Sequence, residues 1–148
     1  LQSLDLSGNW LGEKSAEHLS QVFQENSHIK EVILQKNWIG NQGVKLLGEG
    51  LKHNTVITEL NLKTNKIGNE GAISLAESLN HNHHLELLNL EDNKIEDDGV
   101  IKLAEVAENH ATLRSLDFDG NPYGEKGKKL LQSMGLLDDD VQHVVFLS

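Results

Sequence analysis

Cysteine is absent from the 148 residues. A disulfide framework, a thiolate metal site and a cysteine nucleophile are therefore excluded, and a reducing compartment is the simplest setting. None of the asparagines opens an Asn-x-Ser/Thr acceptor, which points the same way, to a cytoplasmic, intracellular protein. Long apolar runs are missing too. None approaches the roughly 18 residues a membrane span requires, and Leu1 does not open a basic-then-apolar leader. Positive charge is scarce: 13 Lys and Arg stand against 23 Asp and Glu, a formal net charge of −10. That balance disfavours nucleic acid or an anionic membrane as partner and favours a protein, one with a basic patch among the options.

What the sequence has is a period. Asparagine recurs at Asn9, Asn37, Asn65, Asn93 and Asn121, 28 residues apart each time. The same period carries an apolar triplet: Leu1/Leu4/Leu6, Ile29/Val32/Leu34, Ile57/Leu60/Leu62, Leu85/Leu88/Leu90, Leu113/Leu116/Phe118 and Val141/Val144/Phe146. The last two members of each triplet are two residues apart, so they share one face of a short strand while their neighbours take the other. Glycines follow at Gly12, Gly40, Gly68 and Gly124, then at Gly43, Gly71, Gly99 and Gly127, and punctuate a turn. Behind the turn, apolar residues fall at helical spacing: Ala16, Leu19, Phe23; Val44, Leu47, Leu51; Ala72, Leu75, Leu79; Val100, Leu103, Ala107. Asn26, Asn54, Asn82 and His110 close each helix.

Each unit is thus strand, turn, helix, and a stack of such units is an α/β solenoid. Parallel strands need about 4.8 Å each and helices about 8–10 Å, so the stack bends into a horseshoe segment. A parallel β-sheet lines the concave face and α-helices the convex face. A single domain over 1–148 is expected, with repeats 1–28, 29–56, 57–84, 85–112 and 113–140 and a partial sixth at 141–148. Without an initiator methionine or polar caps, the chain is expected to be a segment of a longer protein.

The pattern L-x-x-L-x-L-x-x-N-x-I-G-x-x-G, followed by an amphipathic helix ending in L-x-x-N, resembles the ribonuclease-inhibitor-like class of leucine-rich repeats across essentially the whole chain. The class includes ribonuclease inhibitor, the sensor regions of NOD-like receptors, the GTPase-activating protein for Ran and repeat proteins of bacterial pathogens. The resemblance implies an intracellular, non-catalytic module for protein–protein interaction, without a cofactor. Ribonuclease inhibitor is cysteine-rich with alternating repeat lengths and this chain is neither, so inhibition of ribonucleases does not carry over.

Binding residues are sought where the repeat leaves the choice open. The open strand face carries Ile33, Gln35, Glu59, Asn61, Lys63, Leu87, Asn89, Glu91, Asp117 and Asp119, among which Ile33 and Leu87 interrupt a polar surface without a folding reason. Trp10 and Trp38, the only tryptophans, each follow a ladder asparagine and should be neighbours, either presented to a partner or folded down over their helices. Glu91 and Asp119, with Asp92 and Asp117, form either a socket for a partner's lysine or arginine or a solvated acidic patch.

Metal and catalytic patterns are weaker. Glu96, Asp97 and Asp98 lack the spacing of a calcium loop and fit a helix N-terminus. His53, His81, His83 and His84 lack accompanying ligands at metal spacing, so no metal is expected. No serine stands in a nucleophile elbow, and an enzyme is not expected. The alternatives are activation of a small GTPase, for which Arg114 is the only arginine and is poorly placed, or the repeat region of a pathogen effector or innate immune sensor.

Overall fold

The computed structural model describes residues 2–136 and the strand 143–145. Strands and helices alternate: β1 (Ser3–Asp5), α1 (Gly12–Glu25), β2 (Glu31–Ile33), α2 (Gly40–Leu51), β3 (Glu59–Asn61), α3 (Asn69–Leu79), β4 (Leu87–Asn89), α4 (Asp97–Glu108), β5 (Ser115–Asp117), α5 (Glu125–Ser133) and β6 (His143–Val145). The first five strands pair in sequence order, all parallel, in a register that sets each residue beside the one 28 positions later. This is the solenoid that the repeat dictates, with the strands on the inside of the bend.

The core is one continuous column. Val32, Leu60, Leu88 and Leu116 point inward from the strands and meet Ala16, Phe23, Val44, Leu47, Ala72, Leu75, Val100 and Leu103 from the helices, all buried. Burial of a side chain such as leucine contributes about 1.5–3 kcal/mol, and no single repeat supplies enough of it alone. Close helix approach is part of the design: a Cβ on Gly50 would lie 2.6 Å from the Ser20 carbonyl oxygen, so only glycine lets α2 settle against α1.

Three polar ladders tie each repeat to the next. In the first, Asn65 Oδ1 accepts from the Asn37 and Ile39 amides at 3.0 and 3.3 Å, and its Nδ2 donates to the Leu34 carbonyl at 2.8 Å. Asn37 and Asn93 repeat the arrangement one unit to either side. These asparagines are buried, so each replaces water for backbone groups that the turn would otherwise leave unpaired.

The second ladder joins helix ends. Asn54 Nδ2 donates to the Phe23 carbonyl at 2.7 Å and Asn82 Nδ2 to the Leu51 carbonyl at 2.8 Å, while each Oδ1 holds two amides of its own turn. His110 does the same with a ring. Its Nδ1 accepts from the Thr112 and Leu113 amides at 3.2 and 2.9 Å, which leaves Nε2–H to donate to the Asn82 carbonyl.

The third ladder corrects an expectation. Asp97 does not cap its own helix; its Oδ1 accepts from the Gly124 and Gly127 amides at 2.8 and 2.9 Å, at the N-terminus of α5 in the following repeat. Asn41 and Asn69 serve α3 and α4 in the same way. A Cβ on Gly71, Gly99 or Gly127 would lie within 2.9 Å of the capping oxygen, so these glycines admit the neighbour's side chain.

The tail strand is present but reversed. β6 pairs antiparallel with β5, His143 opposite Asp117 and Val145 opposite Ser115, so it is not a sixth copy of the repeat. An apolar alternation has no direction, so the spacing alone does not fix which way this strand runs. The outer members of the expected sixth triplet, Val141 and Phe146, lie outside the described residues. Among the described residues no helix is long and apolar enough to cross a membrane.

Candidate functional site

Two surfaces meet at the C-terminal ends of the strands. One is the sheet face, where a groove of about 330 Å³ is lined by Glu31, Ile33, Glu59, Asn61, Leu87, Asn89, Ser115 and Asp117. The other is the loop edge beside it, where about 440 Å³ is lined by Gly8, Trp10, Lys36, Trp38, Thr64 and Lys66.

On the sheet face the residues group into columns. Asp5, Asn61, Asn89 and Asp117 share the last strand position, and each Oδ1 accepts the amide two residues on, at 2.9–3.0 Å. A short polar side chain here closes the strand into its turn. Ile33 occupies the same column and closes nothing. Two residues earlier the column reads Ser3, Glu31, Glu59, Leu87 and Ser115, so Leu87 is again the apolar exception, half-buried on an open face. Gln35 and Glu59 lie beside them, also half-buried. Asn61, Asn89 and Asp117 were expected among the binding residues; the Oδ1 of each also closes its turn, a role whose signal was the repeated Asn/Asp in one column.

The acidic cluster is organised rather than open. Lys63 Nζ sits 2.7 Å from Glu91 Oε2 and 3.5 Å from Asp92 Oδ2, so a lysine of the neighbouring strand already fills the socket proposed for a partner. Its hydrogen bond holds the Glu91 carboxyl below the usual carboxylate range, against the opposing push of desolvation, and raises the Lys63 ammonium. Asp117, expected on the open face, is buried at 6% exposure. Glu91, Asp117 and Asp119 each bring an oxygen within 4.8 Å of the others. Such oxygens suit a hard cation, but Lys63 is itself a positive charge bound to one of them. Beside them, Tyr123 Oη and Asp119 Oδ1 are buried without a hydrogen-bond partner, and burial, then the charges of Asp119 and Asp117, push the phenol up.

The loop edge is aromatic and cationic. Trp10 and Trp38 are neighbours, ring centroids 5.3 Å apart and planes tilted by 31°. Neither folds down over its helix: they are 74% and 52% exposed. Lys66, the equivalent residue one repeat on, sets its Nζ 3.2 Å from the Trp38 centroid, so the three side chains form one stack along the solenoid. The backbone explains the outward aim. Trp10, Trp38 and Lys66 have φ of 54, 59 and 60°, and Lys36 and Thr64 have 57 and 56°. Left-handed residues on both sides of the ladder asparagine swing their side chains away from the core, at about 1–2 kcal/mol each for a non-glycine residue.

The remaining candidates do not converge on chemistry. The guanidinium of Arg114 is engaged by Glu86 on the neighbouring strand. His83 and His110 lie with ring centroids 6.1 Å apart, His110 being spent on the second ladder.

A family model described as Leucine Rich repeat matches residues 25–48, 53–76 and 81–104, and a second model of the same description matches residues 1–22. Together the matched segments cover more than half of the chain. No curated protein matches it.

Proposed function

Because the chain belongs to the leucine-rich repeat family, whose repeats are generally protein–protein interaction modules, we propose that it binds a protein through the concave sheet face and the adjoining tryptophan edge. The observation that carries this reading is the indole pair, stacked at 5.3 Å yet 74% and 52% exposed. Aromatic side chains supply a disproportionate share of interface energy, and the core has no use for these two. Ile33 and Leu87 add apolar contact on the sheet face, with Gln35, Glu59, Lys63 and Glu91 as a polar surround. The 28-residue period supports reading the module as ribonuclease-inhibitor-like, and with it as a cytoplasmic, non-catalytic binder that needs no cofactor.

The test is selection of binders from a displayed protein-domain library, followed by two double variants, Trp10→Ala/Trp38→Ala and Ile33→Glu/Leu87→Glu. Selected binders should lose at least about tenfold in affinity to one or both variants, since truncation of an interface anchor costs about 2 kcal/mol or more. Their melting temperatures should stay within a few degrees of the wild type. Selected binders that ignore both variants would overturn the assignment of these surfaces.

A further inference from the structure

We infer that the edge built from Trp10, Trp38, Lys36 and Lys66 takes an acidic peptide segment that presents an apolar side chain to the indoles, an inference that rests on the protein-binding reading above. Shape comes first. The groove of about 440 Å³ is lined by the two indoles together with Gly8, Lys36, Thr64 and Lys66. A single aromatic or branched aliphatic side chain fits there, with one ring face supplied by Trp10.

Charge sets the rest of the ligand. The chain carries 23 acids against 13 Lys and Arg, and Lys52, Lys63, Lys126 and Lys128 each have an acidic neighbour within 4.0 Å. Lys36 and Lys66, like several other lysines, have none among the described residues, and these two are the ones that line the groove. Lys66 instead rests its ammonium on the Trp38 ring, which leaves its charge available to an anion arriving from solvent. An apolar wall flanked by two uncompensated ammonium groups is complementary to an apolar residue bracketed by aspartate or glutamate.

A single-stranded nucleic acid also pairs stacking with negative charge. It is disfavoured because a polyphosphate leaving the groove along the solenoid runs toward the acids of the fourth repeat, Glu86, Glu91, Asp92, Glu96, Asp97 and Asp98. A short peptide seated on the indoles needs no long run along the solenoid and so meets fewer of them.

The two tryptophans are the only ones in the chain and both lie in the groove, so intrinsic fluorescence reports occupancy directly. The probes are blocked peptides of five residues, Glu-Glu-Phe-Glu-Glu, Glu-Glu-Ala-Glu-Glu and Lys-Lys-Phe-Lys-Lys, together with oligo-dT. The acidic phenylalanine peptide should shift and quench the emission to saturation, weaken with added salt, and bind about tenfold more weakly to Lys36→Ala/Lys66→Ala, two exposed charge contacts being lost. The alanine peptide should bind more weakly still. Equal or tighter binding of the lysine peptide or of oligo-dT would overturn the inference, as would no response to the acidic phenylalanine peptide. If that happens while displayed domains still lose affinity to Ile33→Glu/Leu87→Glu, the edge assignment falls and the binding-module reading stands.

Discussion

At the scale of single residues, the repeat explains its own members and exposes those it does not need. Tyr123 is such a member. It takes the place of Ile39, Ile67 and Ile95, packs edge-to-face on Phe118 with centroids 6.3 Å apart, and carries into the core a hydroxyl without a hydrogen-bond partner. A buried unpaired polar group costs about 1–3 kcal/mol, whereas the ring itself is well packed. Tyr123→Phe keeps the ring and removes the oxygen, so it should raise stability by up to about that amount, read as an increased denaturation midpoint in urea. A drop would mean that the hydroxyl has a role in the fold.

At the scale of elements, the starts of α3, α4 and α5 are each completed by a side chain of the repeat before. Asp97 links α4 to α5 through two amides, where its neighbours in the ladder, Asn41 and Asn69, use a neutral oxygen. Loss of a cap costs about 0.5–2 kcal/mol, while the charge near a helix N-terminus adds about 0.3–1. Asp97→Ala should therefore lower stability by about 1–2 kcal/mol and Asp97→Asn by a few tenths, because the accepting oxygen survives in the second variant. Equal losses in the two would assign the stabilisation to charge rather than to the hydrogen bonds. The strand–turn–helix order, the buried helical stripe and the asparagine ladder were all legible in the sequence, since spacing alone specifies them. Two features were not. The third ladder shared the same period, at Asn41, Asn69 and Asp97, but a polar residue at a helix start satisfies its own helix as readily as its neighbour's, and only the stacking decides between them. The direction of β6 was hidden for a different reason: Val144 alternates correctly in a strand running either way. On the candidate site, adjacency of Trp10 and Trp38 followed from the period, whereas their exposure depends on the left-handed backbone at both positions, which no rule of apolar spacing predicts for tryptophan.

At the scale of the whole molecule, the polar ladders determine how far the solenoid behaves as one body. Stability in such a stack is the sum of weak repeat terms and strong nearest-neighbour terms, so cutting one rung in the middle differs in kind from trimming an end. Asn65 is fully buried and joins the third repeat to the second through the Asn37 and Ile39 amides and the Leu34 carbonyl. The Asn9 side chain, among the described residues, holds the carbonyls of Leu6 and Ser7 within its own turn. Asn65→Ala should cost about 3 kcal/mol or more, because it strands several buried backbone groups at once, and Asn9→Ala less than about 1. The larger loss should also be uneven. With that rung gone, the first two repeats keep the β2–β3 pairing, the Asn41 cap and the Asn82 bond as polar links to the rest but lose the buried Asn65 side-chain link, and strand β1 is the least covered, since Ser3 and Asp5 are exposed and Leu4 is half-buried. Hydrogen exchange in Asn65→Ala should therefore separate into two protection levels, the amides of β1 through α2 exchanging well before those of α3 through α4. A uniform loss of protection along the chain would instead mean that the apolar column, and not the ladder, makes the solenoid cooperative. That outcome would move the emphasis from Asn65 to the leucines stacked behind it.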